Sequence, residues 1–138
     1  MRLAIALALL SLSLDCTAAG ADEVRQGMWE IAVSAEAGGQ PLSKTPMVTR
    51  QCVTQQSVKD LMTQMGGAGA CQVSDFQQSA GHASWKIACS GHVQVTGTGS
   101  TEIAGDTFNG RMDLAVTIDG QSLPMVQTFT ARRVGECE

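Results

Sequence analysis

The side chains able to do chemistry are few: two histidines, five cysteines and seven methionines in 138 residues. His82 follows Gly81 in a predicted turn, and His92 follows Gly91 at the start of a predicted strand. A general base needs a carboxylate or nucleophile within hydrogen-bond reach, and neither histidine has one beside it in the pattern. No G-x-S-x-G nucleophile elbow is present. Gly97-Thr98-Gly99-Ser100-Thr101-Glu102 copies the opening of a dinucleotide fingerprint. It lacks the third glycine and no helix follows, so it is not a phosphate cradle. Glu30, Glu36, Glu102, Asp113 and Asp119 fall on separate predicted strands and turns, mostly facing solvent. Paired acid–base work needs two carboxylates in one cleft. The reading is therefore of a non-enzyme with no catalytic residue.

The methionines raise a copper reading, since thioethers select Cu(I). Met62 and Met65 complete a helical stripe with Val58 and Leu61, and Met112 and Met125 lie on inward strand parity. Core packing accounts for them better. No C-x-x-C pair exists, which removes the usual zinc spacing. Neither a metal nor a cofactor is implied. The net charge of −4 excludes the basic face that nucleic acid needs and disfavours docking on anionic lipid.

The elements that position these side chains begin after an export signal. Arg2 precedes the uncharged run Leu3 to Leu14, too short for a bilayer span of about 20 residues and right for a signal h-region. Ala19-Gly20-Ala21 supplies the cleavage pattern, so residues 1–21 are a signal and 22–138 a single exported domain. The product is periplasmic or secreted and has no membrane span. Cys16 invites a lipoprotein reading, but a lipobox wants Leu and a small residue where Ser13 and Asp15 stand. Cys52, Cys71, Cys89 and Cys137 remain, an even number that reads as two disulfides in an oxidising compartment. Three pairings are open. Loop lengths favour Cys52–Cys71 with Cys89–Cys137.

Within the domain, Trp29, Ile31, Val33 and Ala35 alternate with polar partners, a half-buried strand. Gly38 through Pro46 reads as one long loop, and Met47 to Val53 as an edge strand. A short helix is predicted near 55–65, capped at Ser57 and stopped by Gly66-Gly67. From Cys71 onward the pattern is β. Trp85, Ile87 and Cys89 share one face. Phe108, Met112, Leu114, Val116 and Ile118 share another, and Asp119-Gly120 signals a two-residue hairpin. Gly97 and Gly99 mark a bend or bulge. The expected fold is a mainly β antiparallel meander curled into a barrel or sandwich. Gln127 interrupts the inward row Met125, Phe129 and Ala131. It is either a polar contact inside a pocket or the sign of a register slip after Pro124.

An ordered set of landmarks runs through nearly the whole of residues 22–138. Gly27-Met28-Trp29-Glu30 opens it, and Arg50-Gln51-Cys52-Val53-Thr54, Cys71, and Trp85-x-x-x-Cys89-x-Gly91 follow. Phe108-Asn109-Gly110 and Arg132-Arg133-Val134-Gly135-Glu136-Cys137 close it. The set resembles a family of small exported proteobacterial proteins known as a domain of unknown function, with a G-x-W-E opening and a C-terminal R-x-x-G-x-C. The resemblance implies an exported, disulfide-bearing, mostly β domain and transfers no catalytic residue.

Three function classes then make different demands. A periplasmic binding module, the leading reading, requires a cavity or apolar groove with Gln127 pointing into it, and an apolar small ligand or an envelope protein as partner. A structural or stress-related envelope protein without a small ligand requires a filled interior and an exposed apolar patch, for instance on residues 47–53. A hydrolase requires His82 or His92 beside a carboxylate in a cleft.

Overall fold

The computed structural model describes residues 23–54, 60 and 70–138. The signal segment and the helix predicted near 55–65 lie outside the described residues, save Asp60. Eight strands are present: β1 (Gly27–Ala37), β2 (Gln40–Pro41), β3 (Met47–Val53), β4 (Cys71–Ser79), β5 (His82–Cys89), β6 (Val93–Ala104), β7 (Thr107–Ile118) and β8 (Gln121–Gly135). All pairings are antiparallel. β4 through β8 form the expected meander, β1 adds beside β8, and β2 and β3 share the far edge of β1.

Neither a closed barrel nor a sandwich results. Closure requires every strand to be paired on both sides. Among the described residues β4 pairs only with β5, and β3 only with β1, so one open sheet keeps two edges. The sheet nevertheless curls strongly. Residues of β1 and β4 line the same cavity, although five strand spacings would hold them about 24 Å apart on a flat sheet.

Two-residue turns set the registers. Asp119-Gly120 joins Ile118 to Gln121 with both turn residues at positive φ, as predicted. Gly38-Gly39 does the same between Ala37 and Gln40. The stretch read as one long loop therefore opens with a tight hairpin, and Met47–Val53 is the edge strand expected.

A bulge in β4 was not foreseen. Asp75 and Phe76 together oppose Trp85, and Asp75 has φ 50°. The extra residue switches parity along the strand, so Val73 before it and Phe76 after it both face inward. It also sets Cys71 opposite Cys89, where an unbulged hairpin would place Gln72. Gly97 and Gly99 mark no bulge, since β6 runs in unbroken register with both neighbours.

The disulfides are Cys71–Cys89 and Cys52–Cys137, not the pairing favoured by loop length. Register decides it. Cys71 and Cys89 are cross-strand partners with Cα atoms 3.9 Å apart. β3 and β8 flank β1, with Cys52 and Gly135 both opposite Met28. Two further residues bring Cys137 to Cys52.

The core occupies one half of the concave face. Trp29 is wholly buried, with its ring 5.0 Å from that of Phe108, which lies 6.2 Å from Phe129. Ile31, Val53, Ala83, Trp85, Ile103 and Ala131 fill in around them. Two polar groups of the core are hydrogen-bonded: the Trp29 indole donates to the Arg25 carbonyl at 2.8 Å and the Thr101 hydroxyl to the Asn109 carbonyl at 2.8 Å.

Candidate functional site

Beyond this core the concave face opens into a cavity of about 300 Å³. Its walls are Ile31 and Val33 on β1, Val73 on β4, and Met112 and Leu114 on β7, with the Cys71–Cys89 bridge at one side. Two aromatic rings lie down against the sheet and leave room above them. The Trp85 indole covers Gly99, where a Cβ would come within 2.4 Å of the ring. Phe129 covers Gly110 in the same way, also at 2.4 Å. Side chains at those glycines would push both rings up into the space.

Gln127 is the polar member of this lining. It stands in register between Ala35 of β1 and Met112 of β7. The register slip weighed after Pro124 is absent, because β8 pairs continuously with β7 across Pro124. Its half-buried amide makes no hydrogen bond to another described residue. An amide offers both donors and an acceptor. Trp85 shares the cavity, whereas Trp29 lies outside its lining.

Charge is segregated onto the other face by strand alternation. Glu30 lies between its cross-strand neighbours Arg50 and Arg132, at 3.3 and 2.8 Å. The Arg132 guanidinium, helped by Arg50, holds the Glu30 carboxyl below its ordinary range. Farther along, Lys86 pairs with Asp75 at 2.8 Å and Arg111 with Asp113 at 2.6 Å, beside a shallow polar groove containing Thr98 and Ser100. Asp75 raises the Lys86 ammonium, and Arg111 lowers the Asp113 carboxyl. Nothing in the alternation pattern had brought Asp75 and Lys86 together, since the bulge creates that contact.

His82 does reach a carboxylate. Its Nδ1 is 2.5 Å from Glu102 Oε1, across the β5–β6 ladder. Both side chains are more than half exposed on the outer face, and neither lines a cavity described here. The arrangement has the hydrogen bond an acid–base pair needs and lacks the enclosing cleft. His92 borders a separate polar hollow with Asp119 and Gly120. Among the described residues no three His, Cys, Asp or Glu converge as a metal site, and no helix is long and apolar enough to cross a membrane. Met112 lines the cavity, Met125 lies next along the same face, and Met47 is exposed at the edge, so these thioethers are not gathered.

No curated protein and no solved structure matches the chain. The sequence profile of a protein family of unknown function, DUF3617, matches residues 24–137, which is nearly every described residue and both disulfides. The chain belongs to that family.

Proposed function

We propose that this protein is a non-enzymatic binding module of the cell envelope that holds an apolar small molecule against the concave face of its sheet. The observation that carries this is Gln127, a half-buried amide without a partner among the described residues, set in an otherwise apolar cavity of about 300 Å³. That volume lies at the lower end of small-molecule sites, which are mostly apolar with a few placed polar groups. The two disulfides fit an oxidising compartment, in keeping with a signal cleaved after Ala21. The exposure of the His82–Glu102 pair supports reading it as a surface contact and not as acid–base machinery.

A second reading has an observation of its own. β3 is a free edge with Met47 and Val48 exposed at 66% and 58%. Such an edge suits a protein partner, which would make this an envelope interaction protein without a small ligand.

Native mass spectrometry of protein exported to a periplasm and purified without reductant tests the proposal. The expected species begins at Asp22, lies about 4 Da below the reduced chain for two bridges, and carries extra mass that is lost on denaturation. A bare chain from every preparation overturns the ligand reading and leaves the edge strand as the surface to pursue.

A further inference from the structure

We propose that the cavity selects uncharged molecules: an apolar body bearing one neutral hydrogen-bonding group, such as a hydroxyl or an ester or amide carbonyl, that meets Gln127, with carboxylates and ammonium ions excluded. This inference rests on the binding-module reading above and assigns its ligand class. Three observations carry it.

The first is the parity of charge. Glu30, Glu36, Lys86, Glu102, Arg111 and Asp113 all occupy outward positions in the strand registers. Among the described strand residues, Arg133 alone carries charge on the inward parity, opposite Trp29. It lies away from the cavity and is already engaged, its Nε donating to the Gln26 carbonyl and its terminal nitrogen paired with Glu136. No charged side chain lines the cavity, so neither a carboxylate nor an ammonium finds a partner in its walls. A buried ion without a partner carries a large desolvation cost.

The second is the amide itself. Gln127 can donate to a carbonyl or accept from a hydroxyl, so one neutral group satisfies it. Ala35 and Met112, its cross-strand neighbours, add no competing polar atom. The third is continuity of the apolar surface. Val93, Ile118 and Leu123 continue the inward rows of β6, β7 and β8 to an exposed rim. An apolar chain leaving the cavity would remain on apolar surface.

The test compares 1-decanol with decanoate, equal in chain length, at neutral pH on the disulfide-bonded protein. Binding is read from tryptophan fluorescence, to which Trp85 responds from the cavity wall while Trp29 stays buried in the core. Decanol is expected to bind about tenfold more tightly than decanoate or better, a difference of roughly 1.4 kcal/mol. Gln127→Leu is expected to lower decanol affinity about tenfold while leaving the circular dichroism spectrum intact. Gln127→Lys, which places a cation at the same point, is expected to reverse the preference toward decanoate, an outcome a merely structural Gln127 would not produce. Equal or tighter binding of decanoate by the unaltered protein overturns the selectivity and leaves the binding module standing. Binding of neither probe overturns both.

Discussion

The concave face is built along its whole length from inward-pointing strand residues, and its two ends have opposite fates. At one end Trp29, Phe108, Phe129 and Ala131 close over one another, with Val24 and Val53 fully buried beside them. At the other, Val93, Ile118 and Leu123 occupy the same parity and remain 42–47% exposed. Composition of the inward rows does not separate them, since both are apolar. What separates them is aromatic bulk, since Trp29, Phe108 and Phe129 meet at the filled end and aliphatic side chains form the open one. Each end also has its own covalent clamp: Cys52–Cys137 ties the edge strand to the C-terminal tail beside the filled end, and Cys71–Cys89 ties β4 to β5 beside the open one. One end is filled by the core, and the other is left open.

The two clamps should differ most. Cys52–Cys137 spans 85 residues of sequence and holds strands that have no short turn between them. Replacing both cysteines by serine is expected to cost about 4–5 kcal/mol by loop entropy. Cys71–Cys89 spans 18 residues within a hairpin already in register, and its loss is expected to cost about 3 kcal/mol or less. Urea denaturation of the two double variants measures both. A larger loss from the hairpin bridge would break the division between a fold-defining end and a permissive one.

Side-chain truncation sharpens the same contrast. Trp29→Ala removes a wholly buried ring and its hydrogen bond, at an expected cost of about 3–5 kcal/mol. Leu114→Ala, on the cavity wall, enlarges a space that already exists and is expected to cost about 2 kcal/mol, the low end for such a truncation. Equal losses in urea unfolding would mean the open end is as tightly packed as the core.

Much of this contrast was legible in the sequence, and the reasons for the rest are physical. Alternation placed Trp29, Ile31 and Val33 inward, put Arg111 and Asp113 outward, and identified Gln127 as the polar member of an inward row. Those readings need only the two-residue period of a strand. The β4 bulge breaks that period at a single point, and everything beyond it depends on which side of the break a residue lies. Val73 and Phe76, three apart where two or four would keep one face, are the signal that could have found it. The disulfide pairing escaped for the same reason, because it follows from registers across strands and not from loop length along the chain. Closure of the sheet is set by edge pairings, which no local pattern encodes. Gly97 and Gly99 read as a bend or bulge in their strand, whereas Gly99 and Gly110 are each the seat of a ring from the neighbouring strand.

Those seats give a smaller, more pointed test. In Gly99→Ala the new Cβ meets the Trp85 ring at 2.4–2.7 Å, so the indole must rise into the cavity. The expected cost is about 1–3 kcal/mol, as for overpacking generally, with altered tryptophan emission and weaker binding of an apolar probe. Unchanged emission would show that the ring does not depend on the glycine for its position.

The smallest expected effect lies on the outer face and again distinguishes the two ends. Glu30, behind the filled end, sits between Arg132 and Arg50, whose charges hold its carboxyl below the ordinary value of 4.5. Asp113, behind the open end, is lowered from 3.8 by Arg111 beside it. A carboxyl with a depressed folded pKa contributes stability that is complete above its unfolded pKa. The contribution fades as pH falls through the folded value, because the unfolded chain, with the higher pKa, takes up the proton first. Both contributions therefore disappear on acidification below about pH 4.5. Glu30→Gln and Asp113→Asn should each flatten the acid limb of the stability profile. Exposed pairs contribute little and are screened by salt, so the effects should shrink in concentrated sodium chloride. Glu30 bridges two strands to the one that carries it, while Asp113 meets an arginine on its own strand. Urea midpoints measured across the acid range should therefore move more for Glu30→Gln. A larger shift for Asp113→Asn would place the electrostatic anchor of the sheet behind the open end.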